Sequence, residues 1–170
     1  GRGYPDVATK CFLKHLADAY PKLPIFGLVD CNPDGLQILA TYKFGRSSSR
    51  GGRVQDPYTV PRLAWLGIHP SEAYQSAQLC TLQSFSAHDG KIAKVVEKTY
   101  GGGTGDNGTG SASGGSNPSP APSPRVSQPW MHEITWMNAE RHKADIEVFC
   151  RAQNLADYVK TKVSEERYHV

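Results

Sequence analysis

Asp30, Asn32 and Asp34, followed by Gly35, are the residues of this 170-residue chain whose types and spacing most readily do chemistry. They lie in PIFGLVDCNPDGLQILATYKFG, Pro24 to Gly45, where one apolar run stops at Asp30 and another begins after Gly35. Oxygen-bearing side chains spaced this way can hold a hard divalent cation, because magnesium takes oxygen ligands and keeps several of its own waters. The same residue types form turns, and Asn32 or Asp34 can cap a following helix by accepting from its free N–H groups. Both readings stand at this level. A calcium loop does not, because the position that should carry a bidentate Glu is Thr41 and a strand rather than a helix precedes the turn. A phosphatase reading with Asp30 as nucleophile needs a second acid two positions on for proton transfer, and that position is Asn32. Without a downstream Asp-Asp pair for magnesium it stays a subordinate enzyme alternative.

The elements that must position this turn are legible on both sides. PIFGLVD is a short apolar run ending in an acid, the pattern of a buried parallel strand. DGLQILATYKF returns to helical spacing through Leu36, Leu39, Ala40 and Lys43. Upstream, Pro5 to Tyr20 places Val7, Cys11, Leu16, Ala19 and Tyr20 at helical spacing. Downstream, Arg62–Ile68 reads as a second strand, and Pro70 and Ser71 as a helix start. SAHDGKIAKVVEK is helical in spite of Gly90. PWMHEITWMNAERHKADIEVFC reads as one or two helices, with Met131, Ile134 and Met137, or Ala144 and Val148, inward. A last short helix is expected over Leu155 to Lys162, with SEERYHV a frayed tail. Strands alternating with helices predict an α/β fold, an open parallel sheet flanked by helices with additional C-terminal helices. In such sheets functional groups gather at the carboxyl ends of strands, which is where Asp30 sits.

Gly, Ser and Pro dominate residues 101–128, which offer almost no apolar surface to offset the entropy of ordering. The expected organisation is therefore a folded 1–100, a disordered 101–128 insertion, and a C-terminal helical part, 129–170, of the same domain. The net charge of +3 permits a nucleic-acid partner without demanding one. Cys11, Cys31, Cys80 and Cys150 form no Cys-x-x-Cys pair, which argues against a zinc ribbon. His15 and His142 have no partner at ligand spacing, His88 and Asp89 are assigned no chemistry, and Trp65, Trp130 and Trp136 read as core or interface aromatics. No apolar run approaches membrane-spanning length, so no membrane partner is expected. The chain opens on GRGYPD without Met and is expected to be a piece of a longer protein.

Three blocks in order, GRGYPDVATK, PIFGLVDCNPDGLQILATYKFG and TVPRLAWLGIHPSE, resemble the Toprim domain of the A-type subunit of type IIB (archaeal type VI) DNA topoisomerases and their eukaryotic relatives that make meiotic double-strand breaks. The resemblance covers nearly all the folded sequence and weakens across 78–128. It implies a nuclear DNA-cleaving transesterase whose tyrosine nucleophile attacks a phosphate from an upstream winged-helix domain. None of the tyrosines here matches that nucleophile, so this chain by itself is expected to cleave nothing. It further implies a magnesium site made by a glutamate of a first strand preceding Gly1 and an Asp-x-Asp pair. The first Asp matches Asp30; the second matches Asn32, which brings a carbonyl oxygen and no charge. Asp34 is placed either to compensate or to cap the next helix. Implied partners are double-stranded DNA, a second copy in a homodimer, and a B-type subunit. Arg2 stands where the family has Lys; with Tyr4, Lys43 and Arg46 it is a candidate for DNA contact, as are Arg50 and Arg53, although the Arg/Ser/Gly run also reads as a solvated loop. Arg62 is expected to be structural. The rival reading is a DNA-binding scaffold whose Asn32 site is catalytically impaired.

Overall fold

The computed structural model describes residues 4–46, 56–75, 82–100, 126–146 and 155–170. The elements are α1 (Val7–Ala19), β1 (Phe26–Leu28), α2 (Pro33–Phe44), β2 (Ala64–Gly67), α3 (Pro70–Gln75), β3 (Gln83–Ser84), α4 (Ala87–Tyr100), α5 (Gln128–Glu140), β4 (His142–Lys143) and α6 (Leu155–Ser164). β1 and β2 pair in parallel, Phe26 opposite Ala64 and Gly27 opposite Trp65, with a register shift before Leu28 meets Gly67. Helix α2 makes the crossover between them and packs on α4, while α3 and α4 pack on α5. This is the expected Toprim-like α/β fold with helices beyond its central strands.

β2 reads as an apolar run because helices and tail enclose it, with Trp65 and Ile68 fully buried and Leu66 nearly so, whereas Phe26, Gly27 and Leu28 of β1 are half-buried. Trp65 lies edge-on to Trp130 of α5 with ring centroids 5.3 Å apart, and Phe44 from the end of α2 meets the Trp130 indole at 6.2 Å. Leu36, Leu39 and Ala40 of α2, Val96 of α4 and Ile134 and Met137 of α5 complete this core. Trp65 and Trp130 are thus core aromatics, as read from the sequence.

Three sequence-based expectations are corrected by the fold. First, α1 is turned from its expected face: Val7 and Tyr20 are exposed, and the buried residues are Lys10 and Ala17. The cause is a long-range ion pair, in which the Lys10 ammonium meets the Asp56 carboxylate and draws that face inward. Second, α5 does not run on through Ala144. It ends at Arg141, whose backbone is left-handed (φ 54°), and the chain becomes β4, antiparallel to β3, followed by a bridge from Ala144 to Cys31. His142 is therefore a strand residue. Third, the C-terminal segment is not frayed. His169 and Trp65 exchange both backbone hydrogen bonds, at 2.7 and 2.9 Å, so the tail lies antiparallel against β2 on the side away from β1.

Much of the expected 101–128 insertion, residues 101–125, lies outside the described residues, as does Val148. The fold resumes at Val126, which is buried and donates its N–H to Tyr100 O at 3.4 Å. The ends of α4 and α5 therefore meet across that segment.

Arg62 proves to be the peg between β2 and α1. Its Nη1 donates to Pro21 O (2.9 Å) and Leu23 O, and its Nη2 to Ala17 O and Tyr20 O, both at 2.8 Å. These include carbonyls at the end of α1 that have no partner within the helix. Arg62→Ala is expected to cost about 1–2 kcal/mol in a urea titration. Arg62→Lys recovers little of it, because one ammonium cannot span four acceptors as a planar guanidinium does; full recovery by Lys would show that the charge alone matters.

Candidate functional site

The turn after β1 is built by α2's own start signal. Asn32 has extended backbone, its Oδ1 accepts from Gly35 N at 2.7 Å, and Pro33 occupies the first helical position. Asn32 is thus the N-cap of α2, so the turn does serve as helix punctuation. Gly35 is needed because a Cβ there would lie 2.5 Å from Asp30 O and 3.1 Å from Val29 Cγ2. The helix starts directly on the strand end, with no room for a side chain between them.

Asp30 is held from the far end of the chain. Its Oδ1 accepts from Ile146 N at 2.7 Å, and the neighbouring Cys31 exchanges backbone bonds with Ala144 at 2.9 and 3.0 Å. Asp30 Oδ2 has no donor among the described residues. Asp34, in the first turn of α2, has a different partner: its Oδ1 accepts from the Tyr4 hydroxyl, which also lies 3.0 Å from Gln37 Oε1. Burial first, and the Asp34 carboxylate second, push the Tyr4 hydroxyl up to about 12. Tyr4 therefore remains a neutral donor at physiological pH, tying the segment before α1 to α2.

Asp30, Asn32, Asp34 and Tyr4 all border one cleft of about 640 Å³, whose floor is apolar, with Phe26, Leu28 and Leu39 among its lining. Within this cleft each polar side chain is held by a different neighbour, Asp30 by Ile146, Asn32 by Gly35 and Asp34 by Tyr4, and all three share one mouth. Arg46 follows α2 and is exposed. Arg2, Arg50 and Arg53 lie outside the described residues. Lys43 is a correction: it is buried, and its Nζ donates to Pro61 O at 2.6 Å and Leu63 O at 2.8 Å. Burial lowers its pKa, and the two carbonyls fix the turn entering β2. A lysine so placed offers nothing to a DNA backbone.

Two features have no counterpart among the sequence-based expectations. Ile146 supplies a backbone amide 116 positions from Asp30, for which no local pattern exists. Asp89, assigned no chemistry, is buried at the start of α4, where Ser86 N donates to its Oδ2 at 2.7 Å and Asp89 N donates to Ser86 Oγ at 3.1 Å. Ser86-x-x-Asp89 is a reciprocal cap of the Ser-x-x-acid type, and that signal is present in the sequence. Lys143 of β4 adds an ion pair to it at 3.0 Å.

Comparison with known proteins bears on what this cleft does. The Toprim-domain family of the topoisomerase 6 A-type subunit and Spo11 matches residues 1–100. The chain is 43% identical over 89 residues to Meiotic recombination protein SPO11-2 of Oryza sativa subsp. indica, covering 48% of this chain and 22% of that protein. It is 38% identical over 95 residues to the A3 subunit of DNA topoisomerase 6 of the same plant, covering 55% of this chain and 21% of that protein. Similarity to Meiotic recombination protein SPO11-2 of Arabidopsis thaliana runs over 169 residues at 28% identity, 98% of this chain and 37% of that protein. The chain thus spans between about a fifth and two fifths of the length of these relatives. Among the described residues no helix is long and apolar enough to cross a membrane.

Proposed function

The chain belongs to the Top6A/Spo11 Toprim family, and from that premise we propose that it is the metal- and DNA-binding part of a nuclear protein that makes meiotic double-strand breaks by tyrosine transesterification. The observation that carries this reading is Asp30, standing at the carboxyl end of β1 with one oxygen fixed by Ile146 N and its side chain bordering the cleft. The donor set suits a hydrated hard cation: Asp30 Oδ2, the second lone pair of Asn32 Oδ1, and Asp34 Oδ2 are all oxygens, and few enough to leave it several waters. Magnesium held there would supply charge compensation for a phosphate at the scissile position. The chain's own residues do the positioning. The Ile146 amide orients Asp30, Asn32 and Gly35 set where α2 begins, and Tyr4 holds Asp34 at the cleft's edge. Arg46, exposed just past α2, and Arg2 are the cations assigned to the DNA backbone. The nucleophilic tyrosine belongs to an upstream domain, a homodimer provides two of them, and the assembly includes a B-type subunit.

A second reading has its own observation. Asn32 Oδ1 already serves α2 as its cap, and the side chain adds no charge. That favours a DNA-binding scaffold with an impaired metal site. The full-length protein and its Asn32→Asp form decide between the two readings by DNA binding with and without magnesium. Binding strengthened by magnesium in both forms, with at most a few-fold gain for Asp, is the expected result and supports the enzyme reading. A response confined to Asn32→Asp supports the scaffold, and a response in neither form removes the metal site altogether.

A further inference from the structure

Apart from the residues of the cleft, five elements bring charged and titratable side chains to one buried point. His69, between β2 and α3, is only 3% exposed. Its Nε2 lies 3.2 Å from Trp65 O and its Nδ1 lies 3.0 Å from Lys162 Nζ of α6. An ammonium can only donate, so Nδ1 must accept, and the proton of the neutral ring sits on Nε2 and is donated to Trp65 O. Both ring nitrogens are therefore committed, which leaves His69 with no lone pair for a metal although Glu133 and His169 are near. Lys162, 1% exposed, also donates to Glu72 Oε2 of α3 at 2.8 Å, and Glu72 is further held by Tyr158 and by Arg167 of the tail, each at 3.1 Å. The His169 ring stacks on His69 at 4.1 Å, and its buried Nε2 lies 3.6 Å from Glu133 Oε1 of α5, too far to bond. Glu133 is satisfied instead by Ser71, through N–H at 2.8 Å and hydroxyl at 2.6 Å.

We propose that His69 is a proton-operated latch: a proton taken up at Nδ1 replaces the bond from Lys162 with a clash of two donors and releases Arg167–Val170 from β2. The groups facing His69 are Lys162, Glu72, His169 and Glu133, with Arg167 and Tyr158 behind Glu72. Protonation sets His69 against Lys162 at 3.0 Å in a site with little water, and the adjoining His169 ring gives no relief. Glu72, 3.6 Å from Nδ1, favours the proton but is already neutralised by Lys162 and Arg167. Tail release removes the stacked ring and opens the cavity of about 270 Å³ that His69, Glu72, Glu133 and His169 line, so the released His69 can hold its proton in water.

Burial first, then Lys162, push latched His69 down to about 4 from its ordinary 6.5. A group depressed in the closed state keeps the latch shut above 6.5 and loses that contribution as pH falls from 6.5 toward 4. At pH 5 the opening equilibrium is expected to rise roughly 30-fold over its value at pH 8. Amide hydrogen exchange on this chain, corrected for intrinsic rates, reads this at the Trp65 and His169 N–H groups, with far-UV circular dichroism unchanged. Lys162→Met removes the opposing charge and is expected to weaken the response while leaving the part that burial causes; His69→Gln, which cannot titrate, abolishes it. Equal protection at both pH values overturns the latch. So does a full response in either variant, or loss of helical signal in step with the exchange, which would mean general acid unfolding.

Discussion

Removing Tyr168, His169 and Val170 lowers the stability of the chain by about 3–5 kcal/mol, read as a fall in the urea midpoint with nearly the same slope. The size follows from what those residues satisfy. Trp65 N and O, in a fully buried residue at the centre of the molecule, exchange bonds with His169 and have no substitute on that side of β2. Trp130 Nε1 donates to His169 O at 3.1 Å and is also stranded. Each buried group left unpaired costs on the order of 1–3 kcal/mol. The edge contact of Tyr168 on Phe26, 4.8 Å between centroids, is lost as well. A loss under about 1 kcal/mol would mean that water replaces the tail and that the segment is an ornament of the fold.

Gly35→Ala, a change that ordinarily stabilises a helix by close to 1 kcal/mol, is expected here to destabilise by about 2 kcal/mol and to abolish any magnesium dependence of DNA binding. The new Cβ would lie 2.5 Å from Asp30 O, a backbone atom that cannot swing aside. Relief must come from moving the strand end away from α2, which pulls the Asp30 carboxylate off Ile146 N and breaks the Gly35 bond to Asn32. Gly90→Ala in α4 is the control: there the nearest atom is Nη2 of Arg141 at 3.0 Å, the far end of a flexible side chain, and the helix-propensity gain should survive. Thermal melts of both variants, with magnesium titrations of the Gly35 form in full-length protein, check the pair. A Gly35→Ala protein that melts like the parent and still responds to magnesium would show that the strand end and the metal site are not mechanically joined.

Features set by neighbours a few residues apart are legible in the sequence. Pro33 and the apolar spacing of Leu36, Leu39 and Ala40 specify α2, Asn32 caps it, and the apolar runs around Phe26 and Trp65 specify two strands that a helical crossover makes parallel. The Ser86 and Asp89 cap belongs to the same class and was readable, since its three-residue spacing is the signal. Helical periodicity also carried Lys43 to the right face, but it could not say that an ammonium on that face would find two carbonyls indoors rather than a phosphate outdoors.

Long-range partners are chosen by packing. Asp30 meets Ile146 across 116 positions, Lys162 meets His69 across 93, and His169 lies on Trp65, because the fold brings these ends together after the local elements exist. No periodicity links residues so far apart, and a short polar tail such as SEERYHV looks solvated until an uncovered side of β2 is there to receive it. The same reason separates the two halves of the candidate site. The turn that holds Asp30, Asn32 and Asp34 is written in one stretch of sequence, whereas the direction each side chain faces is set by Ile146, Gly35 and Tyr4.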